Sequence, residues 1–160
     1  MTEIVFTPIG IIHSPFNNPR DMPIQPVGAR GVRGTIEIDP AYAAGLKDLA
    51  GFSRIIVLYH FHRSDGYTLE VTPFLDTATR GVFSTRAPRR PNAIGISMLT
   101  LVAVDGATLT VEDVDILNGT PIIDIKPYVP AFDAYPDERA GWLAATSKDA
   151  RTMRSDDRFC

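Results

Sequence analysis

Residues 53–62, S-R-I-I-V-L-Y-H-F-H, are the most strongly β-prone run of the chain and predict its central strand. G-V-R-G-T-I-E-I (31–38) alternates apolar and polar residues, as a half-buried strand does. The same pattern predicts strands at 6–16, 68–74, 81–85 and 95–104. Asp105-Gly106 is a tight-turn pair, so 95–104 and 108–117 are expected to form a hairpin. N-G-T-P (118–121) breaks the second arm, and I-I-D-I-K-P-Y-V-P follows as a last extended segment. About eight short strands separated by turns point to a barrel or sandwich rather than alternating βαβ units.

Helical signals are few. Asp39 followed by Pro40 reads as an N-cap with proline at the first helical position, opening one short helix over A-Y-A-A-G-L-K-D-L. D-E-R-A-G-W-L-A-A predicts a second short helix, docked by Trp142. Residues 17–31 are rich in Asn, Pro and Gly and carry no apolar period; a loop of that length in a compact domain is usually functional. The division expected is one β-domain over 1–145 and a charged, fraying tail over 146–160.

The 160 residues carry a net charge of −3, with 44% hydrophobic and 22% charged residues, ordinary values for a globular protein. An acidic balance argues against broad, non-specific nucleic-acid binding. It leaves room for a local basic patch, which Arg80, Arg86, Arg89 and Arg90 supply. Cys160 is the single cysteine, so no disulfide framework exists and a reducing cytoplasm is expected. M-T-E-I-V-F has no signal-peptide pattern, and no apolar run approaches the ~20 residues of a membrane span.

The sharpest chemistry lies in G-V-F-S-T-R-A-P-R-R-P-N-A-I-G-I-S (81–97). Three guanidiniums without an acidic neighbour sit on a loop that Pro88 and Pro91 stiffen, which makes a preorganised anion site. His60 and His62 share one strand face, but two histidines without firm further ligands do not make a metal site. His13 and Ser14 are adjacent on a strand and point to opposite faces, so they are no nucleophile–base pair. No G-x-S-x-G, G-x-G-x-x-G or P-loop is present, which excludes the common hydrolase, dinucleotide and NTPase readings. L-N-G-T-P (117–121) is a sharp turn whose exposed N–H and C=O groups are expected to read the edge of a base, with a plain β-turn as the simpler reading. Asp124, Lys126 and Tyr128 alternate on one face beyond it.

In chain order, I-G-I-I-H-S-P-F, P-I-Q, A-Y-A-A-G-L-K-D-L-A-G-F-S, I-I-V-L-Y-H-F-H, T-R-A-P-R-R-P-N-A-I-G-I-S and D-I-L-N-G-T-P-I-I-D-I-K-P-Y-V-P resemble the TsaA-like (YaeB-like) domain of the TrmO family of S-adenosylmethionine-dependent tRNA methyltransferases. The likeness covers roughly 4–145 and departs from the family pattern at Ala93, Asn118 and Arg63. It implies a small antiparallel β-barrel, a homodimer with the cofactor near the subunit interface, and methylation of N6 of N6-threonylcarbamoyladenosine in tRNA. Carried over by motif, S-adenosylmethionine contacts fall on Pro23, Ile24 and Gln25, on His62, Arg63 and Arg86, and on Ile96. Further contacts fall on Leu117, Asn118, Gly119 and Thr120. His62, Asp124 and Tyr128 are candidate bases, and Arg89 and Arg90 are assigned to substrate phosphate. The competing expectations are a module that binds S-adenosylmethionine without transferring a methyl group, and a methyltransferase acting on a small molecule or a different RNA.

Overall fold

The computed structural model describes residues 1–20, 22–156 and 158. Six antiparallel strands close into a barrel in the order β1-β2-β7-β6-β3-β8. They are β1 (Gly10–His13), β2 (Gly34–Ile38), β3 (Arg54–His60), β6 (Ile94–Asp105), β7 (Thr108–Glu112) and β8 (Pro121–Pro127). A separate two-stranded ribbon pairs β4 (Glu70–Val71) with β5 (Arg80–Gly81). The mainly β barrel expected from the sequence is the fold observed.

Alternation places one face of every barrel strand inside. Ile12, Ile36, Ile38, Ile55, Val57, Leu99, Leu109, Val111 and Ile122 fill the interior and are fully or almost fully buried. Each such side chain contributes roughly 1.5–3 kcal/mol by leaving water. The β6–β7 hairpin turns at Asp105-Gly106 as expected, with Asp105 opposite Thr108 and Gly106 at φ +58°.

Several strands are shorter than their sequence pattern. The first begins only at Gly10, and of 81–85 only Gly81 belongs to a strand, the two-residue Arg80–Gly81, before the 3-10 turn Val82–Ser84. The alternating run 108–117 stops at Glu112 because Asp113 turns left-handed at φ +66°. Its carboxylate makes that turn tenable: it accepts from the Gly31 amide at 3.0 Å, from Thr100 Oγ1 at 2.6 Å and from Arg54 Nη1 at 3.4 Å. Alternation of polarity is a statement about faces, and here the polar face continues past the end of the hydrogen-bonded ladder.

The helical elements are mostly 3-10. Asp39 caps the turn Pro40–Leu46 by accepting from the Ala41 amide at 2.9 Å. The α-helix among the described residues, α1, is the single turn Pro130–Asp133. Trp142, on the 3-10 turn Gly141–Ala144, docks as expected: Nε1 donates to the Ser84 carbonyl at 2.9 Å and the Arg80 guanidinium stacks 5.6 Å from the ring centre.

The tail departs from expectation. Rather than fraying, residues 147–156 pack on the 19–28 loop. Ser147–Arg151 form a 3-10 turn with Ala150 buried, and Arg154 makes a β-bridge to Pro23. The Ser155 hydroxyl bonds to the Pro19 carbonyl, and the Met22 amide donates to Ser155 Oγ at 2.9 Å. Cys160 lies outside the described residues. Cutting the chain after residue 146 is expected to leave barrel amides protected but to raise hydrogen exchange across 22–28 by at least about tenfold. Exchange mass spectrometry of the two proteins measures this, and equal protection of 22–28 would show that the tail does not hold the loop.

Candidate functional site

The barrel interior changes character toward one end. Along β6 the inward residues run Leu101, Leu99, Ser97, Gly95, from large to small. Opposite them on β3 stand Val57, paired with Ser97, and Tyr59, paired with Gly95. A Cβ on Gly95 would fall onto the Tyr59 ring, so only glycine lets that ring lie across the strand. The ring meets Phe61 edge-on at 5.4 Å, and Tyr59 Oη lies 3.3 Å from Ser97 Oγ. Ser97 Oγ in turn donates to Asp115 Oδ1 at 2.6 Å. Since that donation uses the serine's one proton, Tyr59 is the donor in the first bond.

This end opens into a cleft of about 1230 Å³. That exceeds the ~300–1,000 Å³ of most small-ligand pockets and leaves room for part of a second molecule. Pro23, Ile24 and Gln25 line it from the 19–28 loop; His62 and Arg63 line it from the segment after β3. Arg86, Arg90, Ile96, Leu117, Thr120 and Tyr128 complete the expected residues that meet there. Trp142, Leu143 and the docked tail form a further wall that sequence reasoning missed.

Four expected residues stand elsewhere. Asp124 does not line the cleft. It pairs with Leu58 on the barrel's outer face, and Lys126 binds its carboxylate at 2.8 Å. A β-bulge between Leu58 and Tyr59 leaves Ile123 unopposed, and bulges of this kind re-aim side chains at barrel rims. Asn118 and Gly119 are structural. Asn118 Oδ1 accepts from the Ser14 amide at 3.1 Å, and its Nδ2 donates to Asn17 Oδ1 at 2.9 Å. Gly119 holds φ +80° within the turn. The amides of Asn118, Gly119 and Thr120 go to the carbonyls of Phe16, Ile12 and Leu117, so they cannot also read a base edge. Arg89 lies outside the cleft lining as well.

The arginines divide unequally. Arg80 is neutralised by Asp76 at 2.6 Å and so leaves the basic patch. Arg90 Nη1 is spent on the Thr85 and Ala87 carbonyls at 3.0 and 3.2 Å, stapling its own loop. Arg86 is exposed, and its Nη1 donates to Gln25 Oε1 at 2.8 Å, tying the arginine loop to the 19–28 loop.

Thr120 Oγ1 donates to the Leu117 carbonyl at 2.7 Å and lies 3.3 Å from His62 Nδ1. With the hydroxyl proton committed, Nδ1–H is the donor to Thr120, and Nε2 keeps its lone pair. Burial, with His60 and Arg63 nearby, holds the His62 pKa below 6.5. His62 is therefore neutral at pH 7.

Two carboxyls of the cleft were not foreseen. Burial raises the Asp113 pKa, but hydrogen bonds from Thr100 and Gly31 and the Arg54 charge outweigh it, leaving the carboxyl below its ordinary value. Asp115 is the reverse case: burial pushes it up to about 7, against the Ser97 hydrogen bond, a backbone hydrogen bond and the Arg86 charge. Burial and the neighbouring Asp115 carboxyl also raise the Tyr59 phenol, which stays neutral. The signal for both carboxyls was present in E-D-V-D-I, where regular alternation disguised them as the outer face of a strand. Among the described residues no three His, Cys, Asp or Glu are grouped to hold a metal ion.

A closed antiparallel barrel with a ligand cleft at one rim defines a β-barrel binding domain, distinct in kind from doubly wound nucleotide folds. Residues 11–134 match the family model described as the tRNA-methyltransferase O N-terminal domain, and the chain belongs to that family. It is 51% identical over 156 residues to a probable S-adenosyl-L-methionine-binding protein of Pyrococcus abyssi, covering 98% of this chain and 85% of that protein. It is 34% identical over 152 residues to the tRNA (adenine(37)-N6)-methyltransferase of Escherichia coli, covering 89% of this chain and 65% of that one. The crystal structure of TrmO from Pseudomonas aeruginosa superposes with a TM-score of 0.74 at 36% identity, over 88% of this chain and 63% of the other.

The His62 assignment has a direct check. In ¹⁵N NMR the ring is expected to show a protonated Nδ1 at pH 7 and a titration midpoint below 6.5. An Nε2–H tautomer would mean that Thr120 is oriented otherwise.

Proposed function

We propose that this protein binds S-adenosylmethionine in the barrel-end cleft and transfers its methyl group to N6 of adenosine in tRNA, at N6-threonylcarbamoyladenosine beside the anticodon. The observation that carries the reading is the convergence in one cleft of Pro23, Ile24, Gln25, His62, Arg63, Arg86, Ile96, Leu117 and Thr120, segments far apart in sequence. The donor set suits that cofactor. Arg86 offers a fixed guanidinium to a carboxylate, Ile24, Ile96 and Leu117 offer apolar surface to a purine, and the fixed Asp113 carboxylate offers negative charge to a cation.

Bound there, S-adenosylmethionine supplies an activated methyl group, and the protein's task is alignment and exclusion of water. Arg86, tethered by Gln25, orients the anionic end. His62 presents an unprotonated Nε2 toward the cleft, and Tyr128 lines the rim beyond β8. With Asp124 turned to the outer surface, it is withdrawn as a base. Arg89 and Arg90 lie beside the cleft mouth on the same stiff loop, where positive charge meets RNA phosphate. Ile94, an outward apolar residue of β6 in the cleft lining, stays exposed, which supports pairing of two copies near the cofactor. Methylation of tRNA supports the cytoplasm as its compartment.

The second reading is cofactor binding without transfer, and the wording of the Pyrococcus relative's name favours it. Incubating the protein with labelled S-adenosylmethionine and bulk tRNA separates the two. Transfer to tRNA containing N6-threonylcarbamoyladenosine is expected, and tight cofactor binding without any transfer would leave the second reading standing. Arg86→Ala is expected to weaken cofactor binding by about tenfold to a hundredfold, the ~1.5–3 kcal/mol of one hydrogen bond to a charged group. Arg89→Ala should spare cofactor affinity and lower the salt slope of tRNA binding by about 1.

A further inference from the structure

We propose that Asp115 is the group that takes the proton from the acceptor nitrogen during methyl transfer, with Ser97 and Tyr59 as its positioning residues. The assignment rests on the methyl-transfer reading above.

Elimination among the cleft carboxyls leads to it. Asp113 is locked as a carboxylate by Thr100, Gly31 and Arg54. Asp133 accepts the Val129 amide at 2.8 Å on the outer segment, and Asp156 pairs with Arg158 at 3.0 Å. Asp115 alone sits at the floor of the hollow end, two residues before Leu117 and beside the inward positions of β6.

The groups facing it come from three elements: Tyr59 from β3, Ser97 from β6 and Arg86 from the arginine loop. They form a chain in which Tyr59 O–H donates to Ser97 and Ser97 O–H donates to Asp115. Such a chain fixes the carboxyl's rotamer and leaves it one oxygen for another partner. Burial holds its proton affinity near neutrality, where a general base is most effective.

An adenine N6 bearing a carbonyl substituent delocalises its electron pair and is a poor nucleophile until its proton leaves. The Asp115 carboxylate accepts that proton as the N–H bond breaks. The nitrogen pair forms the N–CH₃ bond, and the pair of the breaking S–CH₃ bond returns to sulfur, giving a neutral thioether. Asp115 ends protonated and releases the proton to water. His62 stands in the same cleft, where burial lowers its proton affinity below that of an ordinary imidazole.

The experiment combines three readouts on the full chain: S-adenosylmethionine affinity by calorimetry, single-turnover methyl transfer to tRNA against pH, and ¹³C NMR titration of aspartate carboxyls. Asp115→Asn is expected to bind the cofactor within about threefold of wild type and to lower the transfer rate by at least ~100-fold. It should also delete a carboxyl resonance titrating at about 7. Ser97→Ala removes a donor that favours the carboxylate, so the NMR midpoint and the rate midpoint should rise together. A merely structural serine would not move both equally. Asp115→Asn transferring at more than about a third of the wild-type rate overturns the proposal, as does a carboxyl midpoint below about pH 5. Should Asp115→Asn fail to fold, Ser97→Ala decides by the same two midpoints. If wild-type protein binds the cofactor but methylates no tRNA, the methyl-transfer reading falls; the NMR midpoint then decides alone whether the cleft holds a poised base.

Discussion

A closed barrel must fill its interior at every level, and this one does so with hydrocarbon at all levels but one. Where Tyr59 lies across Gly95 and reaches Ser97, the inward positions are small and polar. A polar group so enclosed needs a partner, because an unpaired buried hydroxyl costs about 1–3 kcal/mol. Ser97 and Tyr59 find theirs in each other and in Asp115, and the carboxyl brings the barrel's last polar link to the cleft wall. The hollow end and the mouth of the cleft follow from that arrangement, and burial there raises the proton affinity of Asp115 against the Ser97 hydrogen bond.

Around this floor the cleft is built by loops that hold one another. Arg86 ties the arginine loop to Gln25, the tail ties the same 19–28 loop to Arg154 and Ser155, and Thr120 ties His62 to the turn after Leu117. Each link is a side-chain or backbone bond between segments that share no strand. The result concentrates positive charge at one rim of a chain whose net charge is −3. Asp76 silences Arg80, while Arg86 and Arg90 stand on a proline-stiffened loop that lines the cleft.

Much of the site was legible in the chain because its motifs are long and its loops have unusual composition. T-R-A-P-R-R-P-N marked the arginine loop that lines the cleft, and P-I-Q lay in a loop too long to be a mere connection. What misled was local pattern taken as three-dimensional placement. Asp124, Lys126 and Tyr128 alternate in sequence, yet strand pairing turns the first two outward and brings only Tyr128 to the cleft. Asn118 and Gly119 belong to a recognition-like turn, yet their amides are consumed by Phe16 and Ile12, more than a hundred residues earlier. The tail reads as charged and frayed, but Ala150 and Ser155 are short enough to pack closely on the 19–28 loop.

By itself the sequence determined the class of fold, the barrel hairpin at Asp105-Gly106, and the family of the cleft's loops, because periodicity and turn chemistry act within a few residues. Only the tertiary structure decided which side chains face one another. Asp115 became a poised acid–base group, and Asp113 a fixed anion, through partners on β3, β6 and distant loops. Proton affinity is set by burial and neighbours, and those exist only once the barrel has closed.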